Sequence, residues 1–142
     1  SNFGNIFHNI MSEIEYKHQK DYVINEYLLR GIINNDDKNT INNYINQIIS
    51  HEYLSNFFSK KNTIYNEREI FVPPDKVIVP DKISVSADNQ FSILDYKTGG
   101  KKTDHISQIK NYASALKKAN FRVKDVFLVY VKNKIEVLKI DC

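Results

Sequence analysis

Cysteine is nearly missing from this chain of 142 residues: the only one, Cys142, is the last residue. That excludes a disulfide framework, a cysteine-built zinc site and a four-cysteine iron-sulfur cluster within these residues, and it points to a reducing, cytoplasmic setting. Long apolar runs are missing too. No stretch approaches the roughly 18 uninterrupted apolar residues of a membrane-spanning helix, and the first residues lack the basic-then-apolar order of a signal peptide; the expectation is a chain neither secreted nor anchored in a membrane. There is no glycine-lysine loop that would hold ATP, no internal repeat and no low-complexity linker. With 42% hydrophobic and 26% charged residues, what is present describes one ordinary soluble domain. Its length suffices to bury roughly 68–70% of the unfolded surface without staples or a structural metal.

The formal charge of +3 conceals an uneven distribution. Lys97, Lys101, Lys102, Lys110, Lys117, Lys118, Arg122 and Lys124 face a single acid, Asp104, between residues 97 and 124, whereas the flanking stretches are neutral or slightly acidic. Such a segment suits an anionic polymer, although lysine-rich helices are also common as plain solvated surface.

Periodicity divides the chain in two. Phe3, Ile6, Phe7, Ile10 and Ile14 recur at three- and four-residue spacing, as do Ile41, Tyr44, Ile45 and Ile48, so both stretches predict amphipathic helices. Asp21 to Ile33 predicts another, closed by the polar run from Asn34 to Asn39, and His51 to Lys60 a short fourth. From Ile64 the pattern becomes extended: Ile64 to Val72, Lys76 to Ala87 and Phe91 to Thr98 predict a three-strand meander broken at Pro73-Pro74 and Asp88-Asn89. A helix from Thr103 to Ala119 and two strands, Val123 to Val131 and Lys134 to Ile140, complete an α/β order that suits a central mixed sheet flanked by helices.

The most informative residues are Val79-Pro80-Asp81-Lys82-Ile83 and Leu94-Asp95-Tyr96-Lys97-Thr98, because they put charges where a strand should be apolar. Side chains alternate along a strand, so Asp95 and Lys97 share one face and Leu94 and Tyr96 the other. If the strands of Asp81 and Asp95 are neighbours, two carboxylates converge on a hard divalent cation, with the Tyr96 carbonyl as a further oxygen donor. Lys97 would then be near a metal-bound water, either orienting the attacking hydroxide or neutralising charge on the phosphate under attack. The plain alternative is a structural ion pair, Asp95 with Lys97 or Asp81 with Lys82.

Pro80-Asp81 followed by Asp95-Tyr96-Lys97 resembles the PD-(D/E)XK nuclease motif, and in particular the RecB-like or AddA-like nuclease domain at the C-terminus of UvrD-type DNA helicases. Further stretches match in the expected order. Gly4-Asn5-Ile6-Phe7-His8 is similar to that family's glycine and histidine motif, which implies His8 as an additional metal ligand; read alone, His8 lies about 100° round the helix from Phe7, at the edge of the apolar stripe, where a histidine is more often structural. Asn66-Glu67-Arg68 resembles the acidic position leading into the first strand, implying that Glu67 supports the metal water or Lys97; a solvated edge-strand charge is the alternative. Gln108-Ile109-Lys110-Asn111-Tyr112 is similar to the glutamine and tyrosine motif, and its i, i+4 spacing puts Gln108 and Tyr112 on one helix face. Thr98-Gly99-Gly100 resembles the turn by which such strands leave the substrate. Asp75, also preceded by a proline, is a second aspartate that could be mistaken for the motif, and the spacing to Asp95 favours Asp81.

The resemblance implies a PD-(D/E)XK (restriction-endonuclease-like) core in a single domain over 1–142, with a helical segment at 1–62 carrying the histidine motif and the catalytic sheet and helix at 63–142. It implies a metal-dependent DNA exonuclease, cut from an ATP-dependent helicase-nuclease of double-strand-break repair and recombination. Mg2+ or Mn2+ would bind His8, Asp81, Asp95 and the Tyr96 carbonyl and activate a water, with Lys97 assisting and no iron-sulfur cluster or ATP site. Lys101, Lys102, Gln108, Lys110 and Tyr112 would contact DNA, most naturally a single-stranded end fed by helicase domains of the same polypeptide, with a second subunit as a further partner. The rival is a non-cleaving nuclease-fold module that grips DNA or protein.

Overall fold

The stripe Phe3, Ile6, Phe7, Ile10 forms α1 (Asn2–Ser12), which buries Phe7, Ile10 and Met11 in the computed structural model, where residues 2–142 are described. The next helix, α2 (Lys20–Leu29), stops short of the expected Ile33 because Gly31 takes a left-handed φ of 72° and closes it. The polar run after it does not close α2 but opens α3 (Asn35–Ser50). There the Asn34 side chain accepts the Asp37 N–H at 2.8 Å and the Asp37 carboxylate accepts the Asn34 N–H at 3.2 Å, a reciprocal cap. The helix expected over His51 to Lys60 shrinks to one 3-10 turn, Ser55–Phe57.

The meander is more broken than alternation predicts. Ile64 to Val72 splits into β1 (Thr63–Asn66) and β2 (Ile70–Val72), because Glu67 turns the chain with a φ of 47°. Lys76 to Ala87 splits at Val79-Pro80-Asp81 into β3 (Lys76–Ile78) and β4 (Lys82–Val85), since a proline offers no amide to a ladder. Thus β2 and β3 form a separate hairpin, and β1 pairs directly with β4. β5 (Gln90–Lys97) returns antiparallel to β4; α4 (Thr103–Lys118) then crosses over so that β6 (Arg122–Lys132) lies parallel to β5. Asn133, with a φ of 66°, turns the chain into β7 (Lys134–Lys139). The result is an α/β fold around a mixed five-stranded sheet, ordered β1-β4-β5-β6-β7, with helices on both faces.

Two apolar cores sit on the two faces. Leu94, Tyr96, Phe127, Val129 and Val131 pack under the layer of α1, α2 and α3, whereas Ile83, Ile93, Val126 and Leu128 pack under Ile109, Ala113 and Leu116 of α4. At roughly 1.5–3 kcal/mol for each fully buried large aliphatic side chain, both layers are held firmly against the sheet. The end of the sheet where β4 begins and β5 finishes is therefore flanked by α1 on one side and α4 on the other. No helix among the described residues is long and apolar enough to cross a membrane.

Candidate metal centre

At that end the β4–β5 register reaches Lys82 opposite Leu94, and two carboxylates continue the ladder. The Asp81 amide donates to Asp95 Oδ1 at 2.8 Å, and the Tyr96 amide donates to Asp81 Oδ2 at 2.8 Å. Each aspartate so binds the other's strand. Asp95 is buried, on the α4 face as alternation requires, and its carboxylate stands 3.9 Å from Lys97 Nζ. Asp75, by contrast, is exposed in the β2–β3 turn.

His8 approaches from the opposite face. Its Nε2 lies 2.9 Å from the Tyr96 carbonyl and 3.4 Å from Asp81 Oδ2, while Nδ1 lies 2.9 Å from the Gly4 carbonyl one turn back. Both ring nitrogens face acceptors, which is the arrangement of an imidazolium. Hydrogen bonding to Asp81 accordingly raises the His8 pKa to about 9, against the opposing effect of burial. Gly4 makes the approach feasible: a Cβ there would stand 2.6 Å from Thr98 Oγ1, at the exit of β5. The Asp95 carboxyl is pushed up to about 7, by burial first and by the Asp81 charge second.

On the other face, Gln108 Oε1 accepts a hydrogen bond from Lys97 Nζ at 2.9 Å. Tyr112 is half-buried beside them, its phenol raised by burial and then by the charges of Asp95 and Asp81. Sequence reasoning missed His105, the third member of this row at i, i+3 and i+7. Its Nδ1 lies 2.9 Å from the Tyr130 hydroxyl, and Tyr130 is the β6 partner of Lys97, so two residues one turn apart on α4 hold a cross-strand pair. The spacing from Gln108 and Tyr112 was the available signal. His8, Lys97, Gly99, Lys102 and His105 line one open cavity of about 280 Å³, and Val77, Gln108, Asn111 and Tyr112 line an adjoining groove of about 370 Å³.

Other expected residues are less central. Glu67 is exposed, and its carboxylate makes no hydrogen bond or ion pair among the described residues; its left-handed backbone instead aims its amide at the Asp81 carbonyl, 3.0 Å away. Lys97 is held by Gln108 rather than by Glu67. Lys101 is drawn to Glu136 on β7 at 2.6 Å, whereas Lys110 is exposed on α4 with no hydrogen bond or ion pair among the described residues. Among the described residues, no group of three or more His, Cys, Asp or Glu side chains stands ready as a metal cage; the donors are engaged with one another and with the backbone. Neither the family models nor the curated proteins contain a match to this chain.

Proposed function

We propose that this chain is a PD-(D/E)XK nuclease domain of the RecB-like or AddA-like kind, hydrolysing DNA phosphodiester bonds with Mg2+ or Mn2+. The observation that supports this reading is the meeting of His8 with Asp81 and the Tyr96 carbonyl, with Asp95 bound to the Asp81 amide, although His8 and Tyr96 are 88 residues apart in the chain. The donor chemistry fits. Neighbouring ligands of an octahedral ion with bonds of about 2.1 Å stand about 3.0 Å apart, and His8 Nε2 is 2.9 Å from the Tyr96 oxygen and 3.4 Å from the Asp81 oxygen.

His8, Asp81, Asp95 and the Tyr96 carbonyl would hold the ion, which supplies Lewis acidity at the phosphate and acidifies a water. His8 joins by releasing its Nε2 proton, while Nδ1–H keeps its bond to Gly4 and fixes the ring. Lys97, steadied by Gln108, offers a positive charge at the phosphate under attack. Tyr112, His105 and Lys102 form walls along which a strand would lie. A strand fed by helicase domains of the same polypeptide, in break repair, is the setting the resemblance suggests.

The test is Mg2+- or Mn2+-dependent cleavage of end-labelled linear single- and double-stranded DNA. Asp95→Ala should abolish it, and Lys97→Ala should lower the rate by about 10²–10⁴. If about four phosphates are contacted, log affinity for single strands should fall with log salt at a slope of about −3. A second reading, a non-cleaving module that grips DNA or protein, is favoured by one observation: the acidic donors and His8 already satisfy one another. Metal binding without cleavage in either strand form would move the assignment there.

A further inference from the structure

Lys82 follows Asp81 directly and is wholly buried, which is rare for a lysine. Its Nζ donates to the Ile14 carbonyl and to Asn66 Oδ1, each at 2.8 Å, and lies 4.3 Å from the centre of the Phe58 ring. Asn66 is its register partner on β1. The Asn66 side-chain NH2 converges on the same place, donating to the carbonyls of Ile14, Ser12 and Met11 at 2.9, 3.1 and 3.4 Å. The Met11 and Ser12 carbonyls belong to the last turn of α1, and Ile14 to the turn that continues it, where the Glu13 and Ile14 amides donate to the Ile10 and Met11 carbonyls at 3.1 and 3.2 Å.

A helix end leaves up to four carbonyls without internal partners, and water or a local cap usually serves them. Here two side chains from adjacent strands collect them. Burying a lysine head group, charged or neutral, costs free energy before its partners repay it, and an apolar residue of the same volume would fill the site at less cost. What an apolar residue lacks is direction. Lys82 and Asn66 join α1, which carries His8, to β1 and to the strand that begins just after Asp81. A helix displaced by one residue moves by about 1.5 Å and turns by about 100°, which would carry His8 away from both the Tyr96 carbonyl and Asp81.

We propose that Lys82 and Asn66 are positioning residues of the metal centre, locking the height and rotation of α1 so that His8 meets Asp81 and the Tyr96 carbonyl. The proposal rests on the reading of these groups as metal donors. It makes Asp81 and Lys82 a two-sided unit, one side chain serving the ion and the next setting the helix that completes it.

The test is Mn2+ binding by the full chain, measured by calorimetry beside thermal melting, for the unmodified protein, Lys82→Met, Lys82→Arg, Asn66→Ala, His8→Ala and the double variant Lys82→Met/His8→Ala. Ile24→Val, a core change in α2, controls for lost stability. Lys82→Met and Asn66→Ala should weaken Mn2+ binding by about tenfold, the lower end of what supporting partners of metal ligands contribute. Lys82→Arg should recover part of that loss, Ile24→Val should bind as the unmodified chain does, and the double variant should bind no more weakly than His8→Ala alone. Lower melting temperatures with unchanged Mn2+ affinity, or losses that add in the double variant, would overturn the proposal and make the clamp a plain helix cap. An unmodified chain that binds no Mn2+ would overturn the metal-site reading itself, a distinct result. Should Lys82→Met not fold, Asn66→Ala, which retains the lysine, decides.

Discussion

Replacing Asp95 with asparagine should make the metal-free protein more stable while abolishing the proposed cleavage. The Asp95 carboxyl is buried and held at about 7 rather than its ordinary 3.8, because desolvation and the Asp81 charge both disfavour the ionised form. Its folded value lies above its unfolded one, so the folded chain holds the extra proton and stability falls as pH rises from about 4 through 7, the reverse of a salt-bridged carboxylate. Three units at about 1.4 kcal/mol each give on the order of 4 kcal/mol of strain at pH 8, and local relaxation will reduce it to about 2–4. Asparagine keeps the carbonyl that accepts the Asp81 amide and removes the charge. Urea unfolding in EDTA should therefore show Asp95→Asn more stable than the parent at pH 8, with the difference fading toward pH 4. Mn2+ at a hundred times its dissociation constant should restore about 2.7 kcal/mol to the parent and nothing to the variant. If Asp95→Asn is less stable at pH 8, Asp95 is the structural partner of Lys97, 3.9 Å away, and the reasoning fails.

The Tyr96 hydroxyl is buried with no hydrogen-bond partner among the described residues, so Tyr96→Phe should raise stability by about 1–2 kcal/mol in a melt and leave the proposed cleavage intact, since the proposed site uses only the Tyr96 carbonyl. Burial lowers Lys82 from 10.5 to about 7; the folded chain releases this proton first, so the group's contribution to stability improves between pH 7 and 10.5. His8, held at about 9, runs the other way as pH rises through that value, so the difference in unfolding free energy between the parent and Lys82→Met is the quantity to follow. That difference should grow by a few kcal/mol across the window, on the order of 1.4 per unit, and a flat difference would refute a neutral buried amine. His105→Ala should raise KM for DNA by about tenfold, roughly one lost hydrogen bond to a charged group, with kcat little altered; an unchanged KM would remove His105 from the substrate wall.

Local rules made much of this fold legible. Alternation over Leu94 to Lys97 put Asp95 and Lys97 on one face and Leu94 and Tyr96 on the other, as found, and the structure adds that α4 covers the first; the two strands expected at the end of the chain pair as β6 and β7. The failures share a cause. Glu67 adopts a left-handed backbone that residue type does not announce, and the polar run from Asn34 became a helix start through a cap made by Asp37. The β2–β3 hairpin inserted between β1 and β4 sets the register of Asn66 against Lys82, and without that register a lysine after an aspartate reads as surface. The contact of His105 with Tyr130 was hidden in the same way, because it depends on how α4 is laid over a parallel strand pair, although the helical spacing of His105 from Gln108 was legible.

The distance along the chain between His8 and Asp81 also has a meaning in time. During synthesis α1 emerges before the sheet, and its histidine has nothing to meet until β1, β4 and β5 have been made and paired. Long-range closure of this kind is among the slowest events in folding. A half-made or partly unfolded chain therefore keeps His8 apart from Asp81 and the Tyr96 carbonyl, and only the finished domain brings them together.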